Sequence, residues 1–112
     1  MEIDVRDRNQ IKVIKVRGKL VLGPAVDDLR QVLDDLLANG QTNLLLDMAE
    51  VSMLDSSGIG LLMRILTAAK KAGGAIKLLN PSKFTSQTLK LVGILPLFEV
   101  YEDSEQALAS FQ

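Results

Sequence analysis

The sequence has no cysteine, no histidine and no tryptophan, and its aromatic side chains are one tyrosine and three phenylalanines in 112 residues. Without cysteine there is no disulfide framework, no thiol nucleophile and no thiolate metal ligand. Without histidine there is no imidazole general base, no Ser-His-Asp triad and no phosphohistidine. Hydrolases of the common designs are excluded on that inventory. Net charge is nearly absent as well. Thirteen basic and 14 acidic side chains leave −1, which gives no electrostatic basis for nucleic acid or an anionic membrane as the partner. No apolar run approaches the roughly 20 residues that span a bilayer. The start, Met1-Glu2-Ile3-Asp4, has neither the basic nor the apolar region of a secretory signal. The expectation is a cytoplasmic protein.

What is present is an ordinary globular balance, 47% hydrophobic and 24% charged, over a length that suits one domain, residues 1–112. No internal repeat, low-complexity tract or linker interrupts it. Ile3 and Val5 alternate with Asp4 and Arg6, and Ile11, Val13 and Val16 interleave with Lys12, Lys15 and Arg17. This predicts a hairpin with a turn near Arg8-Asn9-Gln10, its three cations on a wet face. Gly18 and Gly23 bracket a short strand end or loop. Pro24 opens a helix in which Ala25, Leu29, Val32, Leu33, Leu36 and Leu37 recur at helical spacing, and Asn39-Gly40 stops it.

Leu44-Leu45-Leu46 is a continuous apolar run ended by Asp47, as in a central parallel strand buried on both faces. A loop from Ala49 to Asp55, anchored by Val51 and Leu54, is expected to lead into a second helix over 57–72. That helix buries Ile59, Leu62, Met63, Leu66 and Ala69 and ends at Gly73-Gly74. Ala75–Leu79 is another strand, Asn80-Pro81-Ser82 starts a third helix, and a short strand near 99–101 precedes a last helical turn capped by Ser104. The order β-β-α-β-α-β-α-β-α argues for a mixed, mostly parallel sheet with covering helices. Met48, Met53 and Met63 read as packing residues, and Ser82, Ser86 and Thr88 as caps or surface positions.

The chemistry concentrates in Leu54-Asp55-Ser56-Ser57-Gly58-Ile59-Gly60, between a buried strand and a helix start. Helix starts carry unsatisfied N–H donors and about half a unit of positive charge, so an anion on Ser56 or Ser57 is accommodated there. Asp55, Ser56 or Ser57 also suits the plain role of N-cap. Gly58 and Gly60 form only a fragment of a dinucleotide fingerprint, with no third glycine and no basic clamp. Asp47, Glu50 and Asp55 fall within nine residues but do not make a metal-ligand pattern.

This run resembles the Asp-Ser-Ser-Gly-Leu-Gly signature of STAS domains, and most of all the stand-alone bacterial anti-sigma factor antagonists. Leu44 to Val51 resembles the family's apolar strand, Asp and Val-containing loop, and Val16-Arg17-Gly18-Lys19-Leu20 resembles its Gly-Glu-Leu-Asp segment. The resemblance implies an α/β fold: a four- or five-stranded mixed β-sheet with about four helices packed mainly on one face. It implies partner switching, in which the unphosphorylated antagonist binds an anti-sigma factor that is also a serine kinase. Phosphorylation then releases it, and a serine phosphatase resets it. By position the acceptor is Ser56, with Asp55, Ser57 and Gly58 shaping its loop. ATP belongs to the kinase, so the domain itself needs no cofactor or metal and is not an enzyme. Lys19 and Val21 stand where the family often has acids, and Lys19 faces either partner, phosphate or solvent. The alternative is a constitutive STAS subunit of a larger assembly, such as a lipid transporter or a stressosome-like complex; a nucleotide-binding enzyme ranks last.

Overall fold

The computed structural model describes all residues, Met1–Gln112, as five strands and four helices. Strands β1 (Glu2–Arg8) and β2 (Ile11–Leu20) form the expected hairpin. Its two-residue turn holds Asn9 and Gln10 at φ 56° and 67°, the left-handed pair that matches the twist of a hairpin. Helix α1 (Pro24–Ala38) leads to β3 (Asn43–Leu54), then α2 (Ser56–Lys71) and β4 (Ala75–Leu79). After α3 (Lys83–Leu91) a 3₁₀ turn at Leu95–Leu97 leads to β5 (Val100–Tyr101) and α4 (Ser104–Ala109). The strand order is β1-β2-β3-β4-β5, with β1 antiparallel to β2 and every other pair parallel.

Leu44, Leu45 and Leu46 are all buried, because β3 lies between β2 and β4 and carries packed side chains on both faces. Leu44 and Leu46 join the main core with Leu29 and Leu33 of α1, Leu62 and Ile65 of α2 and Leu89 of α3. Leu45 joins Ile11, Leu79, Ala107 and Leu108 in a smaller core under α4. Three helices therefore cover one face and one covers the other, the arrangement that the resemblance implied.

Several local expectations change. Residues 49–54 are strand, not loop, because β2 continues beside them: Gly18, Lys19 and Leu20 pair with Val51, Met53 and Leu54. The buried stripe of α2 is Leu61, Leu62, Ile65, Leu66 and Ala69, with Ile59 and Met63 on its margin; α2 has more apolar residues than one face needs, so spacing alone left its rotation open. Lys12, Lys15 and Arg17 do not share a wet face. Side chains alternate across a strand, so Lys12 points away from the other two and bonds Asp7, while Lys15 and Arg17 both reach Glu50 at 3.1 Å. Asp103, not Ser104, caps α4 by accepting from the Glu105 N–H. Met53 is 43% exposed and packs in neither core, whereas Met48 is buried.

Lys77 is a buried lysine in β4 with a full set of partners. Its Nζ donates to Ser110 O and Oγ at 3.0 Å each, and it lies 3.4 Å from Glu99 Oε1 and 4.5 Å from the Phe111 ring centre. A buried charge persists only when paired in this way. The Tyr101 hydroxyl, and then Lys77, hold the Glu99 carboxyl below its ordinary range. The ammonium thus pins the last turn of the chain to the sheet.

Two glycines give opposite expectations. A Cβ on Gly74 would overlap the Thr42 carbonyl, which is backbone and cannot swing aside, whereas a Cβ on Gly60 meets nothing within 4 Å. Gly74→Ala is expected to lower unfolding free energy by about 1–3 kcal/mol, the usual cost of overpacking. Gly60→Ala, inside α2, is expected to raise it by about 0.5–1 kcal/mol through helix propensity. Urea denaturation of the two variants beside the parent checks both signs.

Candidate functional site

The parallel strands β2, β3 and β4 end at one edge of the sheet, and the loops that follow them meet there. Asp55 organises this edge. It is the N-cap of α2, and its Oδ1 accepts from the N–H groups of Ser57 and Gly58 at 3.0 and 3.1 Å. Its Oδ2 accepts from the N–H of Leu22, in the β2–α1 loop, at 2.9 Å. Its own N–H donates to Leu20 O at 3.4 Å. One carboxylate therefore binds two loops together. These N–H groups, that of Leu22 foremost, hold the Asp55 carboxyl below its ordinary pKa, as hydrogen bonds to the charged form do.

Of the three capping candidates, then, Asp55 takes the role and the two serines are free of it. Ser56 is exposed at the first position of α2, and Ser57 is half-buried behind it. Gly58 is buried, and a Cβ there would stand 2.5 Å from Leu20 O and 2.8 Å from a Leu54 methyl. Its place in the motif is explained by that close approach: only glycine lets the end of β2 lie against the first turn of α2. Lys19 is exposed, one residue before Leu20 and beside Met53 in the ladder.

One expectation is revised here. The start of α2 is not an open anion cradle, because Asp55 occupies the Ser57 and Gly58 N–H groups and the Ile59 N–H bonds Asp55 O at 3.0 Å. The other acids of the segment are engaged elsewhere. Asp47 accepts from the Ala49 N–H, and Glu50 lies between Lys15 and Arg17, which hold its carboxyl below the usual range. No group of three His, Cys, Asp or Glu side chains is placed to hold a metal.

The pattern of the STAS domain family matches residues 2–107. The chain belongs to the STAS domain family. Among curated relatives of this STAS domain, the anti-sigma-B factor antagonist of Staphylococcus aureus is 25% identical over 105 residues, 94% of this chain and 96% of that protein. The anti-sigma factor antagonist SpoIIAA in its unphosphorylated form superposes with a TM-score of 0.82 at 24% identity, over 96% of this chain and 93% of that one. The Bacillus cell fate determinant SpoIIAA in the phosphorylated form superposes at 0.78 with 23% identity, over 99% and 100%. The architecture described above is therefore the STAS fold. No helix of this STAS domain is long and apolar enough to cross a membrane.

Sequence reading missed the Leu22 tether, because the partners are 33 residues apart and a backbone donor has no sequence signature. Ser82 caps α3 through the Thr85 N–H, one of the two roles its sequence position suggested, but its bond to Val51 O at 2.9 Å, which joins α3 to the extended end of β3, was not foreseen. Since Asp55 is more acidic folded than unfolded, its stabilisation is complete above the unfolded carboxylate value of about 3.9 and is lost as pH falls on through its depressed native value. Asp55→Asn is expected to remove that part of the acid-unfolding profile. Hydrogen exchange should show faster exchange at the Leu22, Ser57 and Gly58 amides, with β4 unchanged.

Proposed function

We propose that this STAS domain is an anti-sigma factor antagonist, a non-catalytic, cytoplasmic protein-binding module switched by phosphorylation of Ser56. The observation that carries the reading is the division of labour at the start of α2. Asp55 does the structural work of the cap, which leaves the Ser56 hydroxyl exposed and open to modification without loss of the fold. The signature around it and the names of the relatives support the same reading.

In this scheme the unphosphorylated domain binds an anti-sigma factor with serine kinase activity and so frees a sigma factor. The kinase brings ATP and the catalytic base. Ser56 Oγ attacks the γ-phosphorus, its proton passes to the kinase base, the bond to the β-phosphate oxygen breaks, and ADP leaves. A serine phosphatase then hydrolyses the phosphoester and restores the hydroxyl.

The energetics suit a switch. The phosphate adds about −1.5 to −2 charges at neutral pH, against a whole-chain charge of −1, and adds them at the surface beside Asp55. A contact built for a neutral hydroxyl then faces an uncompensated, partly desolvated charge, and each 1.4 kcal/mol so lost weakens binding tenfold.

The test is incubation with the serine kinase and ATP, followed by peptide mapping and calorimetry. Phosphate is expected on Ser56 and absent from Ser56→Ala. Ser56→Asp is expected to bind the kinase at least tenfold more weakly than the parent, and Ser56→Ala to within about threefold of it. Phosphate on another residue, or equal binding by Ser56→Asp, refutes the switch. Stable co-purification with an assembly regardless of either substitution would instead favour a constitutive subunit.

A further inference from the structure

We infer that Leu22 and the Lys19–Met53 pair, at the carboxyl ends of β2 and β3, the second of which runs on to Ser56, form the surface that the kinase grips, and that the kinase meets it with an acidic side chain beside an apolar recess. The inference rests on the partner-switching reading above and adds the chemistry of the partner.

Topology places these residues together. Lys19 and Met53 are ladder neighbours at the ends of β2 and β3, so their side chains leave the same face of the sheet, the one opposite the core that holds Leu20 and Leu54. Leu22 follows two residues after β2, and Met53 lies three residues before Ser56. Leu22 is 77% exposed and Met53 43%. Exposed leucines scattered singly need no explanation, but Leu22 is not loosely held. Its N–H is fixed to Asp55 Oδ2 at 2.9 Å, so its backbone is locked to the residue that precedes the phospho-acceptor.

Charge defines the other half of the surface. Across the two loop segments, residues 18–23 and 52–58, the only charged side chains are Lys19 and Asp55. Asp55 spends its carboxylate on three backbone N–H groups. Lys19 forms no ion pair, and Val21 adds no acid. These two segments thus offer apolar side chains with one cation that forms no ion pair, and their complement is an apolar recess with a carboxylate. The same carboxylate gives the switch its sign: it attracts Lys19 while Ser56 is a hydroxyl and repels Ser56 once it carries phosphate. Like charges placed face to face weaken an interface strongly.

The test titrates the full chain with the purified kinase that phosphorylates Ser56, by calorimetry at low and high salt. Leu22→Ser, Met53→Ser and Lys19→Glu are each expected to raise Kd at least tenfold. Lys19→Gln is expected to raise it less and to flatten its salt dependence. Leu91→Ser, at the far end of α3 and 87% exposed, should stay within twofold. All four positions are exposed, so unchanged thermal melts are expected and show that the variants are folded. Parental affinity in the Leu22, Met53 and Lys19 variants, alongside lost binding by Ser56→Asp, overturns this surface and leaves the switch standing. Tighter binding by Lys19→Glu also overturns it, because the partner would then be basic. A kinase that binds the parent and Ser56→Asp equally overturns the switch itself.

Discussion

The site depends on one carboxylate. Asp55 accepts from Leu22 on one side and from Ser57 and Gly58 on the other, and thereby welds the end of β2 to the start of α2. A single neutral hydrogen bond contributes only about 0.5–1.5 kcal/mol net, and bonds to a charged acceptor somewhat more. The consequence here exceeds any one bond, because the three donors come from two segments far apart in sequence. The tight seat of Gly58 against Leu20 O completes the junction. With the junction fixed, the neighbouring serine is relieved of structural duty.

If Ser56 is the switch proposed above, that relief separates stability from signalling. A phospho-acceptor that also capped its helix would alter the fold whenever it was modified. Ser56, the acceptor proposed above, stands beside the cap instead, and the cap already holds the Ser57 and Gly58 amides. On the proposed switch the added charge would stay at the surface, and the core packed by Leu44, Leu46, Leu62 and Ile65 would be untouched. The C-terminal turn is secured independently through Lys77, on the opposite face of the sheet.

The sequence revealed the elements whose cause is local. The triple-leucine strand, the Pro24 helix start and the hairpin turn at Asn9-Gln10 each follow from residues within a few positions of one another. What stayed hidden was non-local. Residues 49–54 are strand because β2 runs beside them. Met53 is exposed because the smaller core, which covers Leu45 on that side of β3, does not extend to the end of the strand. Asp103 takes the cap position and Ser104 falls inside α4, a one-residue difference that composition does not decide. At the site, the motif pointed to Ser56, Asp55, Ser57 and Gly58 and the structure gathers all four, but it assigns Gly58 a packing role and closes the amides that looked available for an anion.

The two edges of the sheet have a further consequence. One edge, β1, is almost wholly exposed and carries Glu2, Asp4, Arg6, Asp7 and Arg8; the other, β5, is two residues long. Charged and very short edge strands discourage another chain from adding itself by backbone pairing. A partner that bound by strand addition would read peptide groups, which are the same whatever hangs from them, and would scarcely register a change to one hydroxyl. With its edges protected, the domain is left to be recognised through side chains, so that a modification of a single residue can govern whether it is recognised at all.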